Sequence, residues 1–484
     1  MNGAVADSWE VVVGLEVHCE LATATKLFCG CPNSFGDEPN TNVCPVCLGL
    51  PGSLPVLNRS AVELAMRIGT ALNCTVKPSC FHRKNYFYPD MPKDYQISQY
   101  DRPVNVAGWL ELPDGKRIGI VRAHLEEDTG KTTHVGTTGR IHGADSALID
   151  YNRAGVPLVE IVSAPDLRSS EEARAYVSEL RSILVATGAS DGKMEEGSLR
   201  VDCNVSVRPR GSQKLGTRCE IKNLNSLRSL GRAIDYEARR QIELVSSGQA
   251  VVQETRHFSE EAGRTVAMRS KEESHDYRYF PEPDLVELAP EEEWVASVRN
   301  GLPLMPAQRR RRVAELAGVE PASQQVVTVV ELDLDELVEA CGDHAALALA
   351  RVANEAAARP EQARRLHPES FRALVEMEAT GKLTATQAKA VLAEMLESVA
   401  SSGEDGIVAV DPASVASRRG FEALGSGALP RIVDSVIAAN PAEWERYCAG
   451  DAKVTQFLVG QVMKEAKGNA DGKAVAALLA ERRR

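Results

Sequence analysis

No stretch of this 484-residue sequence reaches the roughly 18 consecutive apolar residues of a membrane span. Residues Met1–Trp9 lack the basic and apolar regions of a secretory signal, so a cytoplasmic protein is expected. Excess positive charge is lacking too. Against 56 Lys and Arg stand 68 Asp and Glu, a formal net charge of -12. That balance argues against a free-standing, non-specific nucleic-acid binder but leaves room for a local basic patch and for specific binding in which other contacts supply selectivity. The chain has no solenoid repeat and no low-complexity tract. It also lacks the G-x4-G-K-[ST] phosphate loop, so any use of ATP needs a sheet-type site. The 11 cysteines are not spaced like a secreted disulfide framework: four cluster early and the others read as single core thiols.

What is present divides the chain. Up to about residue 290 it is rich in β-branched residues, Gly, Asn and paired acids. From about 295 Ala, Leu, Glu and Arg take over. An α+β part followed by a helical part is expected. Pro303, Pro306 and the Arg309–Arg312 run mark the junction, and the polar, Gly-containing Ser401–Gly406 marks a second hinge. These limits give parts at 1–294, 295–404 and 405–484. Ser169 and Glu172 have the spacing of a helix-starting capping box, and Gly188 can end that helix at positive φ. Thr384 and Gln387 repeat the start signal. Near the C-terminus, Phe457, Leu458, Val462 and Met463 form an apolar helix face, with Lys464 and Lys467 before Gly468. Those cations suit either the helix dipole or the phosphates of a nucleic acid.

Cys29 and Cys31 are followed, after twelve residues, by Cys44 and Cys47. The second pair has knuckle spacing, which lets two thiolates converge on one ion. Four thiolates suit tetrahedral Zn2+ with no open position, hence a structural role. A reduced thiol cluster is the alternative. A redox C-x2-C pair would need a thioredoxin-like βαβ context, and none surrounds Cys44.

Three segments alternate as strands with one polar face. Glu16 and His18 share a face in Val11–His18. In Ser198–Val207, Leu199, Val201, Cys203, Val205 and Val207 point one way, and Arg200, Asp202, Asn204 and Ser206 the other. In Arg218–Lys222, Arg218, Glu220 and Lys222 oppose Cys219 and Ile221. A half-solvated sheet accounts for such a face. So does a site in which carboxylates hold Mg2+ and cations hold phosphate. The acids Glu126, Glu127 and Asp128 follow His124 and precede Gly130 and Lys131.

Several long strings carry a resemblance. They are VGLEVHCEL at Val13–Leu21, RKNYFYPDMPKDYQISQYD at Arg83–Asp101, HLEEDTGK at His124–Lys131, DYNRAGVPLVEIVSAPD at Asp150–Asp166 and HDYRYFPEPDL at His275–Leu285. They resemble the B subunits of the glutamyl/aspartyl-tRNA amidotransferases, the GatB family, closely over residues 10–290. The helical remainder is similar to that family's linker and YqeY-like tail, with less specific motifs. The resemblance implies an antiparallel catalytic sheet like that of glutamine synthetase. It implies that ATP phosphorylates the side-chain carboxylate of Glu on tRNA(Gln), or Asp on tRNA(Asn), and that ammonia then displaces the phosphate. By position, Glu16 and His18 are expected Mg2+ ligands, and Glu126 or Glu127, with Glu127 the preferred one, would join them or line the ammonia route. Asp202, Glu220 and Lys222 would complete the catalytic, nucleotide and metal site. Lys84, Lys93 and Asp276 would lie along the ammonia path. Tyr86, Phe87 and Tyr88 are read mainly as packing. The four cysteines match members that retain the zinc. Lys464 and Lys467 would meet tRNA. Nothing in the chain resembles an amidase Ser-Lys constellation, so a GatA-like amidase and a small GatC-like protein are expected partners.

Overall fold

Alternation decides where β1 (Trp9–Glu20) lies. Val13, Leu15, Val17 and Cys19 are fully buried, while the intervening residues face away from that core. The other strands are β2 (Thr75–Val76), β3 (His82–Asn85), β4 (Tyr95–Ser98), β5 (Asn105–Glu111), β6 (Arg117–Glu127), β7 (Lys131–Gly136), β8 (Ala144–Asp150), β9 (Pro157–Ser163), β10 (Leu199–Pro209), β11 (Cys219–Leu224), β12 (Thr255–Ser259), β13 (Arg264–Ala267) and β14 (Phe280–Pro281). This computed structural model describes residues 8–136, 144–268, 277–403, 406–421, 428–466 and 472–483.

Twelve strands make one sheet, ordered β13-β12-β11-β10-β1-β9-β6-β4-β3-β14, with β5 also on β6 and β2 on β5. β7 and β8 form a separate hairpin ladder. The sheet is mixed rather than purely antiparallel as expected, because β11 and β12 pair in parallel. The helix Leu227–Ser246 lies between those two strands in the chain and returns it to the same sheet end, as a parallel connection requires. Helices Arg59–Ala71, Ser170–Ala186 and Leu227–Ser246 supply residues to the sheet's main apolar core, among them Met66, Tyr176 and Ile234.

The helix starts follow the side chains. Ser169 accepts from the Glu172 N–H, but the Glu172 carboxylate takes the N–H of Arg168 and the ammonium of Lys116, so only half of a capping box forms. Gly188 follows the cap at φ +67, a conformation few other residues adopt. Thr384 and Gln387 make the full reciprocal box.

Two units divide after Ala307. The helix Glu292–Asn300 belongs to the first, with Val298 in the sheet's core, although the composition changes near its start. The second unit is helical throughout its described residues and has two hydrophobic clusters. One begins at Val313 and continues past Ser401–Gly403 to Val415, Ala416 and Phe421, because Val408 pairs back with Leu366. The other is built from Leu429 to Leu479.

Candidate functional site

The three strands singled out by their polar faces are neighbours: β1 lies beside β10, and β10 beside β11. Glu16 is opposite Asp202, His18 opposite Arg200, and Asn204 opposite Glu220. On the other side of β1, His18 is opposite Glu160 of β9, which in turn is opposite His124 of β6. One sheet face thus carries polar groups from five consecutive strands.

Two groupings stand out. In the first, Nε2 of His18 lies 3.4 Å from Glu126 and 3.7 Å from Glu160. Ligand atoms of these three residues fall within 4.8 Å of one another. His124 closes the far side, with Nε2 3.4 Å from Glu160 and 4.0 Å from Glu126. Burial pushes His124 down to about 4, against the pull of the Glu160 charge. Burial opposes ionisation of Glu160, but His124, His18 and Arg122 outweigh it and hold its carboxyl at about 2. Glu126 goes the other way, raised by its own burial and then by the Glu160 charge. Two carboxyls of unlike proton affinity beside imidazoles form a concentrated donor set.

In the second grouping, Lys222 donates to Asp202 at 2.7 Å and lies 3.2 Å from Glu220. Glu16 accepts from Asn204 at 3.0 Å, and Glu220 from Thr255 at 2.9 Å. Burial opposes the Lys222 charge, but Asp202 and Glu220 outweigh it and hold the ammonium firmly protonated. Carboxylate oxygens beside a fixed cation are the ligand type Mg2+ takes with phosphates, although these acids do not draw as close together as those of the first grouping. The first grouping mixes nitrogen and oxygen and fits a divalent ion of Mn2+ or Zn2+ character as well as Mg2+.

Successive strand residues face opposite ways, and this separates the paired acids. Glu126 faces His18. Glu127 is turned to the reverse side, where it forms a short contact with Lys93 and accepts the Ile97 N–H at 2.8 Å. The expectation favouring Glu127 as a partner of His18 therefore does not match the geometry: Glu126 and Glu160 converge there. Glu160 was missed because it sits among Val159, Ile161 and Val162, which read as buried strand. Its alternation with Val159 and Ile161 was the available signal. Lys84 and Lys93 also part company. Lys84 lies over Tyr277, 4.9 Å from the ring centre, and lowers Glu126 and Glu160 electrostatically. Lys93 belongs to the reverse side.

Tyrosines border the first grouping. Burial and the negative field of Glu126 raise both Tyr86 and Tyr279. Tyr279 stacks on Tyr100 at 4.0 Å. Tyr86 packs edge to face with Tyr277 and Tyr88 within the field of Glu126, whereas Phe87 and Tyr88 are exposed. Asp276, expected on the ammonia path, lies outside the described residues, as does Lys467 in the tail. Lys464 is in the last turn of the helix Ala452–Glu465. Arg482 is engaged by Asp434 at 2.8 Å.

The face continues to Glu20, where a cavity of about 480 Å³ opens between Glu20, Asp191, Lys131 and Arg153. Burial and Asp128 push Glu20 up to about 7. Asp128 itself is held by Arg200 at 2.6 Å and Arg153 at 3.3 Å. Gly130 is needed beside them, since a Cβ there would lie 3.0 Å from two carbonyl oxygens, those of Asp90 and Asp150.

The four early cysteines do converge. The Cys44 and Cys47 sulfurs are 3.9 Å apart, and all four sulfurs lie within 4.8 Å of one another. A hydrogen bond from Cys29, with help from Lys26, lowers Cys47 to about 5, while Cys29 is raised by the same bond and by burial. Four packed thiols with one thiolate favoured fit a thiophilic cation.

Comparisons with known proteins agree with this arrangement. Residues 11–296 match the GatB/GatE catalytic domain, and residues 335–482 match the GatB domain. The B subunit of the aspartyl/glutamyl-tRNA(Asn/Gln) amidotransferase of Frankia casuarinae is 50% identical over 98% of this chain and 95% of its own length. Its counterpart in Salinispora arenicola is 49% identical over 99% and 97%, and that in Carboxydothermus hydrogenoformans 47% over 98% of each chain. The two matched regions and the full-length identity place the chain in the GatB family, the B subunits of the aspartyl/glutamyl-tRNA(Asn/Gln) amidotransferases.

Proposed function

We propose that the chain activates and amidates the amino acid on misacylated Glu-tRNA(Gln), Asp-tRNA(Asn) or both. A side-chain carboxylate resists amidation because its oxygen is a poor leaving group. Transfer of the terminal phosphoryl of ATP to that oxygen makes it a good one. Ammonia then forms the C–N bond, phosphate departs with the C–O electrons, and the nitrogen loses a proton. The observation that carries this reading is the convergence of His18, Glu126 and Glu160 on the same face as Glu16, Asp202, Glu220 and Lys222.

Bound Mg2+ would neutralise phosphate charge and align the oxygens of ATP. Glu16, Asp202 and Glu220 offer it oxygen ligands, and His18, Glu126 and Glu160 hold a second position. Lys222, kept charged by its neighbours, binds the transferred phosphoryl group. Tyr86 and Tyr279 limit water around the first grouping. Lys84 on this face, and the Lys93–Glu127 pair behind it, are assigned to the ammonia path. The breadth of the sheet and its one polar face support a likeness to glutamine synthetase.

Cys29, Cys31, Cys44 and Cys47 hold structural Zn2+. The unit that ends at Ala307 is the catalytic part, and the helical unit beyond it serves as a linker and a YqeY-like tail that meets tRNA near Lys464. A GatA-like partner releases ammonia from glutamine, and a GatC-like partner completes the heterotrimer.

The test is ATP cleavage by the assembled complex, with misacylated tRNA, uncharged tRNA and free glutamate compared. Phosphate release only with misacylated tRNA is expected. Release with free glutamate would move the chain to a free-amino-acid ligase, and no release in any arm would leave it a tRNA-binding protein without this chemistry.

A further inference from the structure

Cys80 and His82 stand two residues apart where β3 begins, so an extended backbone sends both side chains to one side. The Cys80 sulfur lies 3.9 Å from Nδ1 of His82. Asp101, just beyond the end of β4, brings Oδ1 to 3.5 Å from Nε2 of the same ring. One ligand atom from each of the three falls within 4.8 Å of the other two. The frame around them is built rather than loose. Ser79 and Leu288 exchange two backbone hydrogen bonds of 2.8 Å, and the Ser79 hydroxyl donates to the Arg102 carbonyl at 2.5 Å. The His82 ring is buried and meets Tyr100 edge to face.

We propose that Cys80, His82 and Asp101 bind one thiophilic divalent ion of the zinc class, at a site separate from the four-cysteine knuckle. A thiolate with an imidazole is a borderline-soft pair, which selects Zn2+ over the hard ions Mg2+ and Ca2+. Bonds of about 2.3 Å to sulfur and about 2.0–2.1 Å to nitrogen leave the two ligand atoms roughly 3.5–4 Å apart, close to the separation already present. Asp101 is the adjustable ligand. Its side chain is 62% exposed, so it can turn from Nε2 to the ion without unpacking the core. Three protein ligands leave a fourth position for water or an incoming donor. Binding exchanges the thiol proton for the metal, and no electron is transferred.

The experiment uses the full chain with its knuckle loaded with Zn2+, titrated with Co2+ and followed by thiolate-to-cobalt absorption and elemental analysis. A second equivalent with thiolate-to-cobalt absorption is expected, absent from Cys80→Ser and His82→Gln and weakened in Asp101→Asn. Retention of the knuckle's own equivalent reports that each variant is folded. An arm without variants measures alkylation of Cys80 by iodoacetamide with and without Cd2+, read by peptide mass, and protection is expected. No thiolate-to-cobalt absorption beyond that of the knuckle in the unaltered chain, such absorption surviving Cys80→Ser, or alkylation indifferent to Cd2+ would each overturn the assignment; cobalt held without sulfur, as at His18, Glu126 and Glu160, gives no such band. None of these readouts involves ATP or tRNA, so they stand apart from the activity proposed above.

Discussion

At the residue scale, the site was legible where polar residues alternate with apolar ones. Glu16, His18, Asp202, Glu220 and Lys222 were recognisable because each interrupts a run of Val, Leu, Cys or Ile. Glu160 was not, because one acid among β-branched residues looks like a flaw in a buried strand. Glu160→Gln is expected to cut turnover, and to weaken the activating divalent ion about 10- to 100-fold in a metal titration of the complex. An unchanged titration would remove Glu160 from the metal shell. Glu20 allows a test on pH. Its ordinary value of 4.5 is raised to about 7 in the fold. The unfolded chain therefore releases this proton first, and the folded state loses stability as pH climbs from about 4.5 to about 7. Glu20→Gln abolishes that loss, so the variant should be more stable at about pH 8 by on the order of 1–3 kcal/mol and indistinguishable near about pH 4. Paired denaturant titrations at the two pH values check the sign.

At the element scale, the choice between Glu126 and Glu127 shows why reading stopped short. A strand's pattern fixes which residues share a face only if the strand is regular. β6 carries an irregularity between Ile120 and Arg122, where pairing with β9 shifts by one residue, and such a bulge resets the phase of everything beyond it. The bulge has no sequence signature here, and the family strings do not say which acid points where. The helix ends were more transparent: Ser169, Gly188 and Thr384 sit where their side-chain or backbone chemistry is needed. The phase of β6 also carries an energetic consequence. Glu127 is buried against Lys93, so Lys93→Met strands a charge and should cost about 3–5 kcal/mol in chemical unfolding. Adding Glu127→Gln should recover most of that cost. A single-variant loss below about 1 kcal/mol would mean that water reaches the carboxylate.

On the scale of the whole molecule, the change of composition located the helical part, while packing placed its border at Ala307. The difference arises because Glu292–Asn300 looks like the helices that follow but buries Val298 with the sheet. Beyond Ala307 the helices have their own apolar clusters, so a fragment of residues 308–483 should show a cooperative thermal transition by circular dichroism. A featureless melt would refute that independence. The acidic pair in β6 has a last consequence. A single peptide bond joins the carboxylate that faces the imidazoles to the one that faces Lys93. A strand hydrogen-bonded on both edges moves as a rod. Any axial displacement felt by the rear ion pair is therefore delivered to the front donor set with no intervening joint to absorb it. The front donor set and the rear ion pair thus share one mechanical part.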